Sequence, residues 1–464
     1  MKRLKQLYCV IFFVICLCPL LGMLFVKEEA SSENRELAEF PKLKTEEGVN
    51  VEWLSQAGDY FQEHFAFRNE LVTANALLHG KILGVSTAEG VIQGKDGWLY
   101  YKDSLDDYLG TELLSERSLY NISHTLSMMQ DYLTERGVKF LFAAAPNKNT
   151  LYGEHMPYYD SLKVTEDNNL KRLKPYLEKE GVAYADLQAV FDAESETLYH
   201  QRDSHWNNKG AALAADALLT AAGKEHDSYD EEAYAVRTDF EGDLDKMLYP
   251  LAMEPEDEIY FDKPTSFAYV GEVGSNFDPK ITTVNPSKRG SLVMYRDSFG
   301  NALLPFMADA YANAYFSRGV PYNLSDVDVN AADTVIVVRA ERFLPEVAQS
   351  PPVLDAGEIP LTGDMAESSL DGALDVQMKA MGPRVQITGR ILSGQLDTES
   401  GIYLRLNGAA AYEAFPMDVK TESGTDDNGF CVYLSADKLK AEENTLEIFI
   451  SKDKKLYKIY QDMI

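Results

Sequence analysis

A chain of 464 residues, 45% hydrophobic and 25% charged, is long enough to bury one large core and a smaller module. Its net charge of −30 excludes a nucleic-acid role, because phosphate binding needs basic patches; a polyanionic glycan would likewise need a locally basic cleft. Cys9, Cys16 and Cys18 share one apolar segment and Cys431 stands alone, so neither a disulfide in the soluble part nor a zinc site is expected.

Met1-Lys2-Arg3-Leu4-Lys5 precedes an uncharged run from Leu7 to Val26. About twenty residues at about 1.5 Å each cross the roughly 30 Å of a bilayer core. The basic flank favours a cytoplasmic N-terminus. Residues 1–27 read as a signal anchor rather than a cleaved signal peptide, because the run is long and no A-x-A site follows. The expectation is a single-pass protein of the cytoplasmic membrane with an extracytoplasmic domain, a secreted form being the alternative.

Residues 28–95 read as a polar stalk and a helical lead-in, with helical periodicity from Val51 to about Leu83. Gly94–Tyr101 reads as a turn into an aromatic strand. Helix-like Ser115–Arg136, Asn168–Lys179, Ala211–Ala222 and Ala302–Ala314 alternate with strand-like Val138–Ala145, Val182–Leu187, Ser291–Tyr295 and Thr334–Val338. That alternation predicts an α/β domain over 96–350, a mostly parallel sheet flanked by helices. Beyond Pro351-Pro352 about six short strands separated by Gly/Asn/Asp turns predict a β-sandwich over 365–464.

Acyl transfer to a hydroxyl needs a nucleophile, a base and a group that holds the base in its productive tautomer. Asp203 and His205 are two residues apart in a polar turn, which brings both side chains to one side and lets the carboxylate reach Nδ1. Ser298 follows a strand and precedes a helix, so its hydroxyl stands above the sheet edge beside free backbone N–H groups. Trp206 is a candidate wall that excludes water. His200 reads as a surface or supporting residue, and His64, His79, His124, His155 and His226 have no comparable partner in the sequence.

Asp203-Ser204-His205-Trp206-Asn207 resembles the D-x-H-W signature of the alginate O-acetylation proteins AlgX and AlgJ and of the bacterial DHHW family. The order Asp203, His205, Ser298 matches that family, as do Glu33–Leu37, Phe61–Arg68, Gly94–Tyr101, Ala145–Lys148 and Val338–Arg342. The resemblance implies an SGNH-hydrolase-like fold with Ser298 as nucleophile, His205 as base and Asp203 as its orienting acid. It also implies acetyl transfer to a polysaccharide acceptor, with a polytopic membrane O-acyltransferase as donor and no cofactor or metal. Arg296 departs from the small residue usual before Asp-Ser, and is read as crowding the turn or binding an anion. Asn147 is the candidate oxyanion donor, and Lys148, Arg339 and Arg342 are candidate cleft cations. Tyr403, Tyr412, Phe415, Phe430 and Tyr433 are read mainly as core, with sugar stacking as the alternative. A carbohydrate acetylesterase using the same three residues, or a non-catalytic glycan-binding assembly protein, are the competing functions.

Overall fold

The computed structural model describes residues 2–23, 25, 38–45, 48–229, 232–366, 372–422, 424–440 and 443–463. The Glu33–Leu37 motif and the side chains of Lys2 and Arg3 lie outside the described residues. Helix α1 (Lys2–Gly22) contains Lys5–Gly22, which has the length and hydropathy to cross a membrane. Helices α2 (Trp53–His64) and α3 (Arg68–Leu83) follow, where the periodicity from Val51 predicts one or two helices.

The central sheet is mixed. Its strands are β1 (Lys139–Ala145), β2 (Tyr184–Ala185), β3 (Ala268–Tyr269), β4 (Lys280–Val284), β5 (Ser291–Arg296), β6 (Asn313–Ser317) and β7 (Thr334–Ala340). They lie in the order β2-β1-β7-β5-β6-β4-β3. Neighbours from β2 to β6 are parallel, whereas β4 runs antiparallel to both β6 and β3. The antiparallel edge departs from the expected pattern, as does β6, where a helix is expected to run on to Ala314. The helix that precedes it stops at Ala310, because Tyr311 adopts extended backbone.

Alternation along the strands builds a core on each face. Leu141, Ala143, Leu292, Met294, Ile336 and Val338 point to one cluster, covered by α6 (Asn208–Ala221) and α7 (Gly300–Ala310). Phe140, Phe142, Val293, Tyr295, Val335 and Val337 point to the other, under α4 (Glu116–Thr134), α5 (Asn169–Lys179) and α8 (Leu344–Gln349). The helix starts follow local chemistry: Ser115, Asn168 and Asn207 each accept a backbone N–H of the first turn.

The C-terminal region holds a six-stranded and a four-stranded sheet that share one core, including Ile387, Val432, Leu404 and Ile448. Tyr412, Phe415, Phe430 and Tyr433 are buried and Tyr403 is half-buried, so the first four offer no exposed sugar-stacking platform. The region docks on α4. The Arg117 guanidinium donates to the carbonyls of Asp397, Thr398 and Ser400, Asn121 donates to Asp418, and Phe415 enters the core under α4.

Candidate active site

Strand β5 delivers the serine. Beyond Arg296 the chain turns through Asp297, Ser298 and Phe299 into α7. Asp297 locks that turn: Oδ1 accepts the Phe299 N–H at 2.9 Å, and Oδ2 accepts the Ala340 N–H at the end of β7 at 2.6 Å. A Cβ at Gly300 would lie 2.5 Å from Arg296 Cδ, so only glycine lets the helix start there. Ser298 is half-buried, and its N–H has no acceptor among the described residues.

The histidine arrives on an irregular loop. Asp203 Oδ1 accepts the backbone N–H of His205 at 2.8 Å and its Nδ1–H at 2.7 Å, while Oδ2 accepts the Asp243 N–H at 2.7 Å. Nε2 is thereby left facing Ser298 Oγ, at 2.8 Å. Burial opposes the charge on Asp203, but the His205 ring and the N–H donors outweigh it and hold the carboxyl below its usual range. Burial also opposes the charged form of His205. Asp203 and, beyond it, Asp243 win and raise that ring above its ordinary value, with Arg342 pulling the other way.

Four side chains fix this loop. Lys148 Nζ donates to the carbonyls of His200 (3.1 Å), Gln201 (3.0 Å) and Asp203 (2.5 Å), and burial pushes its pKa down to about 8. Glu256 accepts the N–H groups of Gln201 and Arg202. Asp243 accepts the Ser204 N–H at 2.8 Å and its O–H at 2.6 Å. Glu258 holds His200 Nε2 at 3.0 Å, and His200 is buried with its ring stacked on Phe240. A Cβ at Gly242 would lie 2.2 Å from the Arg202 carbonyl oxygen, so glycine permits this close approach.

Sequence reasoning missed Asp243, Glu256, Glu258 and Asp297. The first three sit in acid-rich stretches whose composition looks like ordinary solubilising charge. Asp203, His205 and Asp243 offer ligand atoms within 4.8 Å of one another. A cation bound there would displace the Nδ1 proton and break the Asp203 bond, so this donor set fits a proton relay better than a metal.

Several expected site residues have other duties. Trp206 does not wall the cleft; it is 2% exposed in the core, with its ring edge-on to Phe299 at 4.8 Å. Arg296 packs closely against the turn, where Gly300 leaves room for its stem, and its guanidinium is turned to carbonyls rather than to an anion. It is buried, donating to the carbonyls of Asn276 (2.9 Å), Asp278 (3.1 Å) and Asp297 (3.4 Å) and to the Asn301 side chain. Lys148 is committed to the loop carbonyls, and Arg339 pairs with Glu346. Both leave the list of free cleft cations. Arg342 stays on it, half-buried beside Phe299 and without a hydrogen-bond partner among the described residues. Asn147 lies just beyond the end of β1, before the short helix Lys148–Leu151, two strands from β5 and so about 10 Å away at ordinary strand spacing. Its N–H bonds Glu341, and neither side-chain polar atom has a partner among the described residues.

Residues 91–258 match the family model described as "SGNH hydrolase-like domain, acetyltransferase AlgX". The probable alginate O-acetylase AlgJ of Pseudomonas syringae is 26% identical over 178 residues, covering 37% of this chain and 43% of that protein. This chain thus matches less than half the length of that relative. The probable alginate O-acetylase AlgJ of Pseudomonas putida is 23% identical over 292 residues, 55% of this chain and 70% of that protein. Among solved structures, Bacillus cereus PatB1 with a sulfonyl adduct overlays with a TM-score of 0.41 and 16% identity, covering 55% of this chain and 97% of that one. Over residues 91–258 the chain is thus similar to the SGNH hydrolase-like domain described for acetyltransferase AlgX, and over a longer stretch to probable alginate O-acetylases of the AlgJ type.

Proposed function

We propose that this protein is an extracytoplasmic O-acetyltransferase that acetylates a polysaccharide hydroxyl through an acetyl-serine at Ser298. The observation that carries the reading is the continuous relay Ser298–His205–Asp203, with contacts of 2.8 and 2.7 Å. The match to the AlgX model and the likeness to probable alginate O-acetylases support it from outside the site.

His205 Nε2 takes the Ser298 proton as Oγ attacks the acetyl carbonyl, and Asp203 stabilises the imidazolium that forms. The imidazolium returns the proton to the leaving group. The acceptor hydroxyl then enters, gives its proton to Nε2 and attacks the acetyl-serine; collapse of that adduct restores the Ser298 O–H and releases the acetylated sugar. The Ser298 N–H serves as oxyanion donor. Helix α1 anchors the chain, the remainder lies outside the cytoplasmic membrane, and a polytopic membrane O-acyltransferase supplies the acetyl group. In this reading 28–95 form the lead-in, 96–350 the catalytic domain and 365–464 a β-sandwich docked on it.

Purified protein should release p-nitrophenol from p-nitrophenyl acetate, and Ser298→Ala should abolish that release; equal rates for the two would overturn the assignment. Acetylated oligosaccharide, detected by mass spectrometry, separates transfer from hydrolysis by the same three residues.

A further inference from the structure

Helix α2 is amphipathic, yet none of its residues is buried. One side of it, Trp53 and Tyr60, meets the Phe40 ring edge-on. Another side carries Leu54 and Phe61, continued from Val51, and Leu54 is 80% exposed. Helix α3 buries Thr73 and Ala76 and turns its opposite side to solvent, where Leu71 and Leu78 follow Phe67 and Leu78 is 57% exposed. Leu54 and Phe61, like Leu71 and Leu78, stand two helical turns apart, so each pair forms a row along its helix. Large apolar residues are exposed more densely between residues 40 and 85 than in any later part of the described chain. Two consecutive helices that each leave an apolar row in water mark a surface that something covers.

The span read from α1 ends against this surface. Gly22, the last residue of α1, abuts the corner between α2 and α3: a Cβ there would lie 2.6 Å from Ala66 Cβ and 3.1 Å from the Phe67 ring. Charge agrees with a place beside lipid. From Trp53 to Leu83 the sequence holds Asp59, Glu63 and Glu70 against Arg68 and Lys81, nearly neutral within a chain of net −30. An anionic lipid surface repels the rest of the chain and tolerates this part. The hairpin is also tied to the catalytic domain. Ala76 shares one cluster with Leu244, Leu248 and Tyr249, and the Leu251 N–H donates to Thr73 Oγ1 at 3.1 Å. Leu244 follows Asp243, which holds Ser204 in the histidine loop.

We propose that α2 and α3 form a membrane-surface dock: Leu54, Phe61, Leu71 and Leu78 enter the boundary between lipid headgroups and acyl chains, on the side where α1 emerges. The occupant is lipid rather than a second protein, and the attachment is apolar rather than electrostatic, because the rows carry no cluster of basic side chains. The inference rests on the reading of α1 as a membrane span. A single span attaches a domain without fixing its tilt, whereas a second line of contact beside the span fixes both. Through Ala76 and Leu244 the dock sets the height and tilt of the histidine loop, and with it of Ser298, above the bilayer.

The test uses the full chain in nanodiscs of zwitterionic phosphatidylcholine with a trace of diazirine-bearing phosphatidylcholine, photolabelled and read by peptide mass spectrometry. With the diazirine just below the headgroup, peptides from α2 and α3 should be labelled along with α1. With the diazirine at the end of the acyl chain, α1 alone should be labelled. Raising salt from about 0.1 M to about 1 M should leave the pattern unchanged. Leu54→Glu/Leu71→Glu/Leu78→Glu should lower labelling of the hairpin about ten-fold or more, with α1 labelling and p-nitrophenyl acetate hydrolysis at wild-type levels. Should that variant lose hydrolysis through misfolding, the wild-type depth pattern decides by itself. Labelled α1 with an unlabelled hairpin overturns the dock and leaves the span standing; it is the outcome expected if a second copy or another membrane protein covers this face. Hairpin labelling of the triple variant at the wild-type level also overturns the dock. Unlabelled α1 removes the span, and the dock with it.

Discussion

His124 sits where α4 meets the C-terminal sheets, with Nδ1 2.7 Å from Glu180 and Nε2 3.3 Å from Glu413. His205 has Asp203 at Nδ1 and the Ser298 hydroxyl at Nε2. Burial disfavours charge on both rings, and both rise above the ordinary value because carboxylates outweigh it, His124 to about 9. The difference lies in the second nitrogen. Between two carboxylates a ring is held as a doubly donating cation and acts as a clasp between regions. With a hydroxyl on Nε2, the neutral ring has an acceptor site for a proton, and the same residue type becomes a base. A carboxylate-paired histidine is therefore not in itself a sign of catalysis; the partner of the other nitrogen decides.

The largest break in this comparison should come from Asp203→Asn. It frees Nδ1 to lose its proton and reverses the tautomer, which should cut kcat for p-nitrophenyl acetate by ~10^4-fold while circular dichroism stays native. Next is Lys148→Met, which strips three loop carbonyls of their donor. We expect a loss of about 3 kcal/mol in chemical denaturation together with a fall in kcat; unchanged stability would show that the loop is held by other contacts. His124→Gln should destabilise by about 1–2 kcal/mol at pH 6 and leave hydrolysis unaffected. Since the folded pKa of His124 lies above its unfolded value of about 6.5, its stabilisation is complete below that value and is lost as pH rises through about 9. A wild-type stability curve that falls across that range, and a His124→Gln curve that does not, would sharpen the contrast. The smallest effect belongs to Asp243→Asn. The Asp243 charge raises the His205 pKa, so its removal should move the acidic limb of the pH–rate profile downward.

The active centre was legible to the extent that local geometry dictates it. An Asp and a His two apart in a turn, and a serine between strand and helix, are constrained by the backbone, and the fold brings them together. The cations were not legible, because nothing local tells whether Lys148 points to solvent or under a loop that lies far along the chain. Asp243 and Glu256 are masked by the surplus of acids around them. Strand β6 hides for a different reason: Asn313-Ala314-Tyr315-Phe316 continues the apolar texture of α7, and only pairing with β5 and β4 settles its conformation. In the C-terminal sheets, Ala410–Glu413 and Phe415–Thr421 escaped notice because Ala and Pro interrupt the β-branched pattern.

The central claim is that Ser298 carries the acetyl group. Rapid mixing with p-nitrophenyl acetate, acid quench and peptide mass spectrometry test it most directly. The account predicts one acetyl group, on the peptide containing Ser298, and none on that peptide in Ser298→Ala. Label confined to another residue, with Ser298→Ala turning over at the wild-type rate, would contradict it.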